Sequence, residues 1–381
     1  MEKRPQIAFL SSHEPHDRRS WSGIVYHSYK ALQEHCGDVH ALGPFKPKNI
    51  LNTGRGIAFL SRRLLGRGYD YTHSLRLARA AAEFFEAKLK ERKYDLIFAP
   101  AASTELTYLE TDLPIFRLAD STFARMIGYY PFYDSLLENS KKQGHEIERL
   151  SIARSRFLLY TSQWAADSAI KDYGADPERI HIFPIGANIE TPPEKEKIFP
   201  KKKNDPCRLL FLGVEWERKG GPIAFDTLLE LEKQGFDARL TVCGCVPPDH
   251  FRHEKMDVIP FLDKNDETQR RRFEELLQQT HFLLLPTRAE CFGIVFCEAS
   301  AYGIPSITTD TGGVGGVVFD GINGYRLPHE AGGKVYAEKI RNIYSDPNTF
   351  DALAESSRRL YDEKLNWDAW GMEMKRLIDT L

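Results

Sequence analysis

The chain has 381 residues, two to three times the ~100–150 of a typical domain, so two domains are expected. Hydrophobic residues make up 42% and charged residues 28%, with 27 Gly and 21 Pro, which excludes disordered, collagenous and fibrous classes. Lys+Arg 52 against Asp+Glu 54 leaves a net charge of -2, so no global positive field holds nucleic acid or an anionic membrane, and such a partner needs a local patch.

From the amino terminus, short apolar runs ending in small or polar residues alternate with longer amphipathic stretches. The runs at 6–12, 39–43, 95–100, 114–120, 156–161 and 180–186 read as strands, and 74–93, 134–153 and 163–173 as helices. Continuous hydrophobic strands are buried on both faces, which favours a parallel sheet covered by helices. The first run is also too short for the apolar core of a signal peptide, and no stretch approaches the ~20 apolar residues of a spanning helix. A cytoplasmic protein is therefore expected, possessing at most a peripheral contact with the inner face of a membrane.

Residues 187–206 carry Pro192, Pro193, Pro200 and Pro206 with a dense run of charge and little periodicity, the composition of a linker. The alternation then restarts, with strands expected at 208–213, 238–244, 258–262, 281–286, 306–309 and 324–327. Helices are expected at 221–234, 267–279, 293–302, 334–345 and 349–360, and a last one at 367–381. The resulting expectation is α/β, with two Rossmann-like domains facing across a cleft: 1–187, a linker at 188–206, 207–365, and 366–381 returning to the first domain. Open α/β sheets bind ligands at their carboxyl edges.

The six cysteines are too few for a disulfide framework and lack zinc spacing, and His13 and His16, with Pro15 between them, make a weak metal pair. Residues 46–93 hold 12 Lys/Arg against 4 Asp/Glu, a local excess of 12 − 4 = +8. This excess suits an anionic lipid surface or acceptor, or a solvated helix face.

Two segments of the second half could carry chemistry. The expected strand 281–286 runs into Glu290, then Phe292, Gly293 and Ile294 at a helix start, then Glu298. A helix start offers backbone N–H groups to a phosphate, and carboxylates accept paired hydrogen bonds from vicinal hydroxyls. Upstream, the strand ending at Gly213 is followed by Arg218-Lys219-Gly220-Gly221, a candidate anion clamp.

Together with Ser162-Gln-Trp164, the 183–188 segment and the glycine-rich 308–324 segment, these motifs resemble the large retaining glycosyltransferase family numbered four, which has the GT-B architecture of two Rossmann-like domains. The resemblance spans most of residues 160–328; in the first half it rests on Trp21-Ser22-Gly23, where the family has a glycine-rich loop. It implies a retaining transferase that moves a sugar from a nucleoside-diphosphate-sugar donor to a hydroxyl acceptor, a glycan or lipid-linked, and that needs no metal or cofactor. It also implies that Glu298 takes the ribose hydroxyls and that Glu290 lies near the sugar. Phe292, Gly293 and Ile294 would offer amides to sugar and phosphate, Arg218 and Lys219 would neutralise the leaving diphosphate, and Gly23, Gly213 and Leu262 would complete the donor surface. The chain departs from the family at Val214, where an Arg is usual, and at Ser22-Gly23, where a glycine pair is usual. It also has Ala119-Asp120 in place of a His-Asp dipeptide, which leaves Asp120 as the catalytic candidate of the first domain. The rival readings are a nucleotide-sugar 2-epimerase on the same fold and an inactive nucleotide-sugar-binding scaffold.

Overall fold

The structure is a computed structural model that describes residues 4–199 and 206–381. It divides into two compact units, Met1–Pro184 with Trp370–Leu381, and Ile185–Ala369. The described residues form two six-stranded sheets, one in each unit.

In the first unit β1 (Gln6–Phe9), β2 (Asp38–Ala41), β3 (Leu96–Pro100), β4 (Ile115–Ala119), β5 (Phe157–Tyr160) and β6 (Ile180–Ile182) pair in the order β2-β1-β3-β4-β5-β6. Every pairing is parallel, in registers such as Ile7 beside Leu96 and Ile97 beside Ile115. β3 and β4 are buried at every position, as their unbroken apolar runs require when helices cover both faces. The first three long helices are α1 (Ile24–His35), α2 (Lys48–Leu65) and α3 (Leu75–Leu89), the last capped by Ser74, whose hydroxyl accepts from the Leu77 amide. Leu10, Phe85, Ile97 and Leu106 join one core cluster and Leu158, Tyr160 and Ala165 another.

The second unit contains β7 (Cys207–Leu212), β8 (Ala238–Cys243), β9 (Met256–Ile259), β10 (Phe282–Leu285), β11 (Ser306–Thr309) and β12 (Gly324–Leu327). They pair in the order β12-β11-β10-β7-β8-β9, again all parallel. This is a doubly wound sheet whose strand order reverses between β7 and β10, so the loops leaving those two strands diverge and leave room for a ligand.

Most expected elements sit where periodicity places them, and the differences have local causes. β9 stops at Ile259 because Pro260 has no N–H for the ladder. The helix expected from 134 begins at Glu138, after a separate turn at Pro131–Asp134. α1 and α2 were not anticipated as separate helices.

Composition also misreads the expected linker. Residues 188–199 pack on the second unit: Arg358 donates to the Pro193 carbonyl at 2.7 Å, Lys195 pairs with Asp362 at 2.9 Å, and Ile198 is buried. The division falls at Pro184–Ile185, because these backbone and charged groups find partners that a local reading cannot see; 200–205 lie outside the described residues. The last helix, Trp367–Ile378, returns to the first unit from Trp370, whose ring meets Phe98 and Phe183 edge-on at 5.7 and 5.5 Å.

Candidate functional site

The site grows from the switch point of the second sheet. β7 delivers Gly213, whose amide donates to the Cys243 carbonyl at 2.9 Å. The chain then coils through Glu215–Gly220 and is stitched to the exit of β10, where the Arg288 amide donates to the Arg218 carbonyl at 2.7 Å. Lys219 runs back over Gly213 so closely that a Cβ there would lie 2.8 Å from Lys219 Cγ. A side chain at 213 would displace the lysine, which gives the glycine a steric reason.

Lys219 Nζ donates to Glu290 Oε2, with the two side chains only 11% and 12% exposed. Glu290 is fixed in turn by its carbonyl, which accepts from the Gly313 amide at 3.0 Å. Phe292 is buried behind it, and Gly293 opens the Ile294–Ala301 helix at φ 91, with a Cβ there only 2.5 Å from the Phe296 ring. Both constraints demand glycine and leave the first turn's N–H groups at the carboxyl edge beside the Lys219–Glu290 pair.

Arg218 is committed differently. Its Nε and Nη2 donate to Glu215 Oε1 at 3.0 and 2.7 Å, and its Nη1 to the Ala289 carbonyl at 2.8 Å. The hydrogen bond from Arg218 holds the Glu215 carboxyl below its usual range. The guanidinium braces the loop that carries Glu290, while Lys219 donates to the carboxylate itself.

Glu298 lies inside the same helix and is wholly buried. Its Oε1 accepts from Lys264 Nζ at 2.6 Å, while Oε2 has no partner among the described residues. A buried carboxylate oxygen without a donor has strong demand for one, and a hydroxyl would satisfy it. Lys264 was missed by sequence reasoning; it stands 4.3 Å from the Phe273 ring centroid, in the loop after β9 that also buries Leu262. Its charge two residues beyond Leu262 was the available signal.

Gly23 and Asp120 belong to the first unit. Gly23 precedes α1 at φ 90, after Trp21 and Ser22, also at positive φ, and Asp120 is half-buried just beyond β4. That unit's carboxyl edge also holds a pair absent from the sequence reading: His73 Nδ1 lies 2.7 Å from Asp70 Oδ2. Burial alone would raise the Asp70 carboxyl, but the hydrogen bonds from His73 and Thr72 outweigh it and bring it to about 2. For His73, burial opposes the charge and the Asp70 carboxylate overrides it, so the imidazole titrates above its usual range. Glu105, after β3, is pushed up by burial.

Two doubly wound parallel sheets in one chain define the GT-B architecture, and solved structures carry it along nearly the whole length. Sucrose-phosphate synthase of Thermosynechococcus elongatus aligns over 99% of both chains with a TM-score of 0.69 at 15% identity. The Anabaena protein HepE, in complex with UDP and glucose, aligns over 99% of this chain and 100% of its own with a TM-score of 0.66 at 13% identity. Among curated relatives, the glycogen synthase of Mycobacterium tuberculosis is 25% identical over 234 residues, 59% of this chain and 54% of the relative. D-inositol 3-phosphate glycosyltransferase of Xylanimonas cellulosilytica is 25% identical over 245 residues, 59% of this chain and 57% of the relative. The chain thus matches little more than half the length of these relatives. The family model described as Glycosyl transferases group 1 matches residues 206–346, which include Lys219, Glu290 and Glu298. The match to this family lies within the second unit.

Proposed function

We propose that the protein transfers a sugar from a nucleoside-diphosphate-sugar donor to a hydroxyl group of a glycan or lipid-linked acceptor, with retention of configuration and without a metal ion. The observation that carries this reading is the Lys219–Glu290 pair beside the Gly293 helix start, at the point where the strand order reverses. The family match and the UDP and glucose bound by the HepE neighbour support the donor class.

Cleaving a sugar–phosphate bond develops positive charge on the sugar ring and negative charge on the departing diphosphate. Lys219 is paired with Glu290. A diphosphate would draw the ammonium away, and the freed carboxylate would accept from the sugar's hydroxyls. Lys219 and the helix-start amides then oppose the growing phosphate charge, so they bind the transition state better than the donor, which is the condition for catalysis. Glu298 Oε2 would take a ribose hydroxyl, and Asp120 is the first unit's candidate to act on the sugar or acceptor. Arg218 acts at the diphosphate only by leaving Glu215; otherwise it holds the loop.

The proposed setting is the cytoplasmic side of a membrane, with contact through residues 46–93. Nucleotide release from UDP-, GDP- and ADP-sugars tests the activity, and the anomeric coupling constant of the product tests retention. Release with one donor class and an unchanged anomer is expected. No release with any donor, and no thermal shift with nucleotides at 100 times an expected dissociation constant, where binding adds ~2.7 kcal/mol, would overturn it.

A further inference from the structure

α2 is an 18-residue helix of which only Gly54 and Ser61 are buried. Gly54 lies against Tyr71, and the Ser61 hydroxyl donates to the Arg67 carbonyl at 2.7 Å. These small contacts tether the helix and leave its large apolar side chains unused: Ile57 is 43%, Phe59 64%, Leu60 53%, Leu64 73% and Leu65 64% exposed. Ile57, Leu60 and Leu64 recur at i, i+3 and i+7, which places them in one ridge. Lys48, Arg55 and Arg62 recur every seven residues along another face.

Residues 46–69 contain Lys46, Lys48, Arg55, Arg62, Arg63 and Arg67 and no Asp or Glu. The next acid, Asp70, is buried and held by His73. A cavity of about 200 Å³ opens beside the helix, its lining including Ala58, Arg62, Tyr69, Asp70, Tyr71 and Phe132, with Phe132 itself 47% exposed. No helix of the described residues is long and apolar enough to cross a membrane.

We propose that α2 is an interfacial helix that seats the first unit on an anionic bilayer. The Ile57, Leu60 and Leu64 ridge enters the boundary between headgroups and acyl chains. The basic face, Arg62 included, lies against lipid phosphates. Burying such a ridge and neutralising such a face are the two contributions that hold an amphipathic helix at an interface, and each requires the other because a single one binds only marginally. The charge complementarity selects anionic lipid over a second copy of the chain, which would bring two basic faces together. This deepens the membrane contact of the proposed function and rests on it only for the choice of partner, since vesicle binding is read without any sugar transfer.

The experiment is cosedimentation of the full chain with vesicles of phosphatidylcholine alone or mixed with phosphatidylglycerol. Binding to the anionic vesicles alone, weakened by salt, is expected. Leu60→Ser with Leu64→Ser should reduce it by at least about tenfold, since both apolar side chains leave water on binding. Arg62→Gln should weaken it to a lesser degree. Circular dichroism melting checks that the variants fold, which is expected because all three side chains are exposed. No binding at low salt, equal binding to neutral vesicles, binding unaffected by the leucine changes, or a dimer that those changes dissolve would each overturn the assignment. Nucleotide release by the same preparation tests the transferase separately.

Discussion

Each unit contains an ion pair shielded from water, and the two are built for different ends. In the first unit Arg117 on β4 meets Glu148 at 2.7 Å with side chains 1% and 5% exposed. Around them Tyr160 accepts from Arg117 at 2.9 Å, and the Ser103 hydroxyl bridges guanidinium and carboxylate at 2.8 and 3.0 Å. In the second unit Lys219 and Glu290 sit beside an open helix start and retain some exposure. A pair locked between a strand and a covering helix has little to offer a ligand. A pair at the switch point can be exchanged for one, because a phosphate and a sugar hydroxyl can replace each partner for the other. Burial is similar in kind, and location at the carboxyl edge separates stability from chemistry.

The comparison can be broken most directly in the first unit. Glu148→Ala leaves the Arg117 charge buried and unpaired and should cost ~3–5 kcal/mol of stability, read from urea unfolding; a loss below about 1 kcal/mol would mean that the pair is not structural. Lys219→Ala should unfold almost normally yet lose ~3–4 kcal/mol of transition-state stabilisation, about a hundredfold or more in turnover at saturating donor. An unchanged turnover and donor affinity would remove Lys219 from the mechanism.

Gly293→Ala sharpens the contrast by touching the cradle alone. Its positive φ and the close Phe296 ring make even a methyl group costly, on the order of 1–3 kcal/mol. Donor affinity measured by calorimetry should fall roughly tenfold or more, and intact affinity would show that the amides at this helix start do not hold the donor.

The smallest effect belongs to Asp70 and His73. With its pKa held at about 2, Asp70 contributes stability that is complete above its unfolded value near ~4 and lost as the pH falls toward 2. His73 is raised, so its contribution is complete below ~6.5 and lost as the pH climbs through the elevated value. The pair therefore stabilises most between about pH 4 and 6.5. His73→Ala should lower the melting temperature within that window and flatten its pH dependence on either side, and an identical profile would contradict the assignment.

Much of this architecture was legible in the chain itself. The 163–173 and 267–279 helices lie where the pattern places them, and each opens on a side chain that accepts from a backbone amide, Ser162 and Asp266. The paired acids 290 and 298, the dibasic turn and Gly293 were visible for the same reason: strand-to-helix turns are written in consecutive residues. α2 was harder, because its apolar residues were counted within a broad basic region and not as a helix of their own.

What linear order determined was therefore the alternation of strand and helix and the chemical types available at each turn, since hydrophobic period, caps and turn residues act over a few positions. Tertiary structure alone decided which groups meet. Lys219 reaches Glu290 across 71 residues and Lys264 reaches Glu298 across 34 because β7 and β10 are neighbours while β8 and β9 lie beyond. Strand order is a property of the packed sheet, set by burying all its faces at once, and no local pattern encodes it.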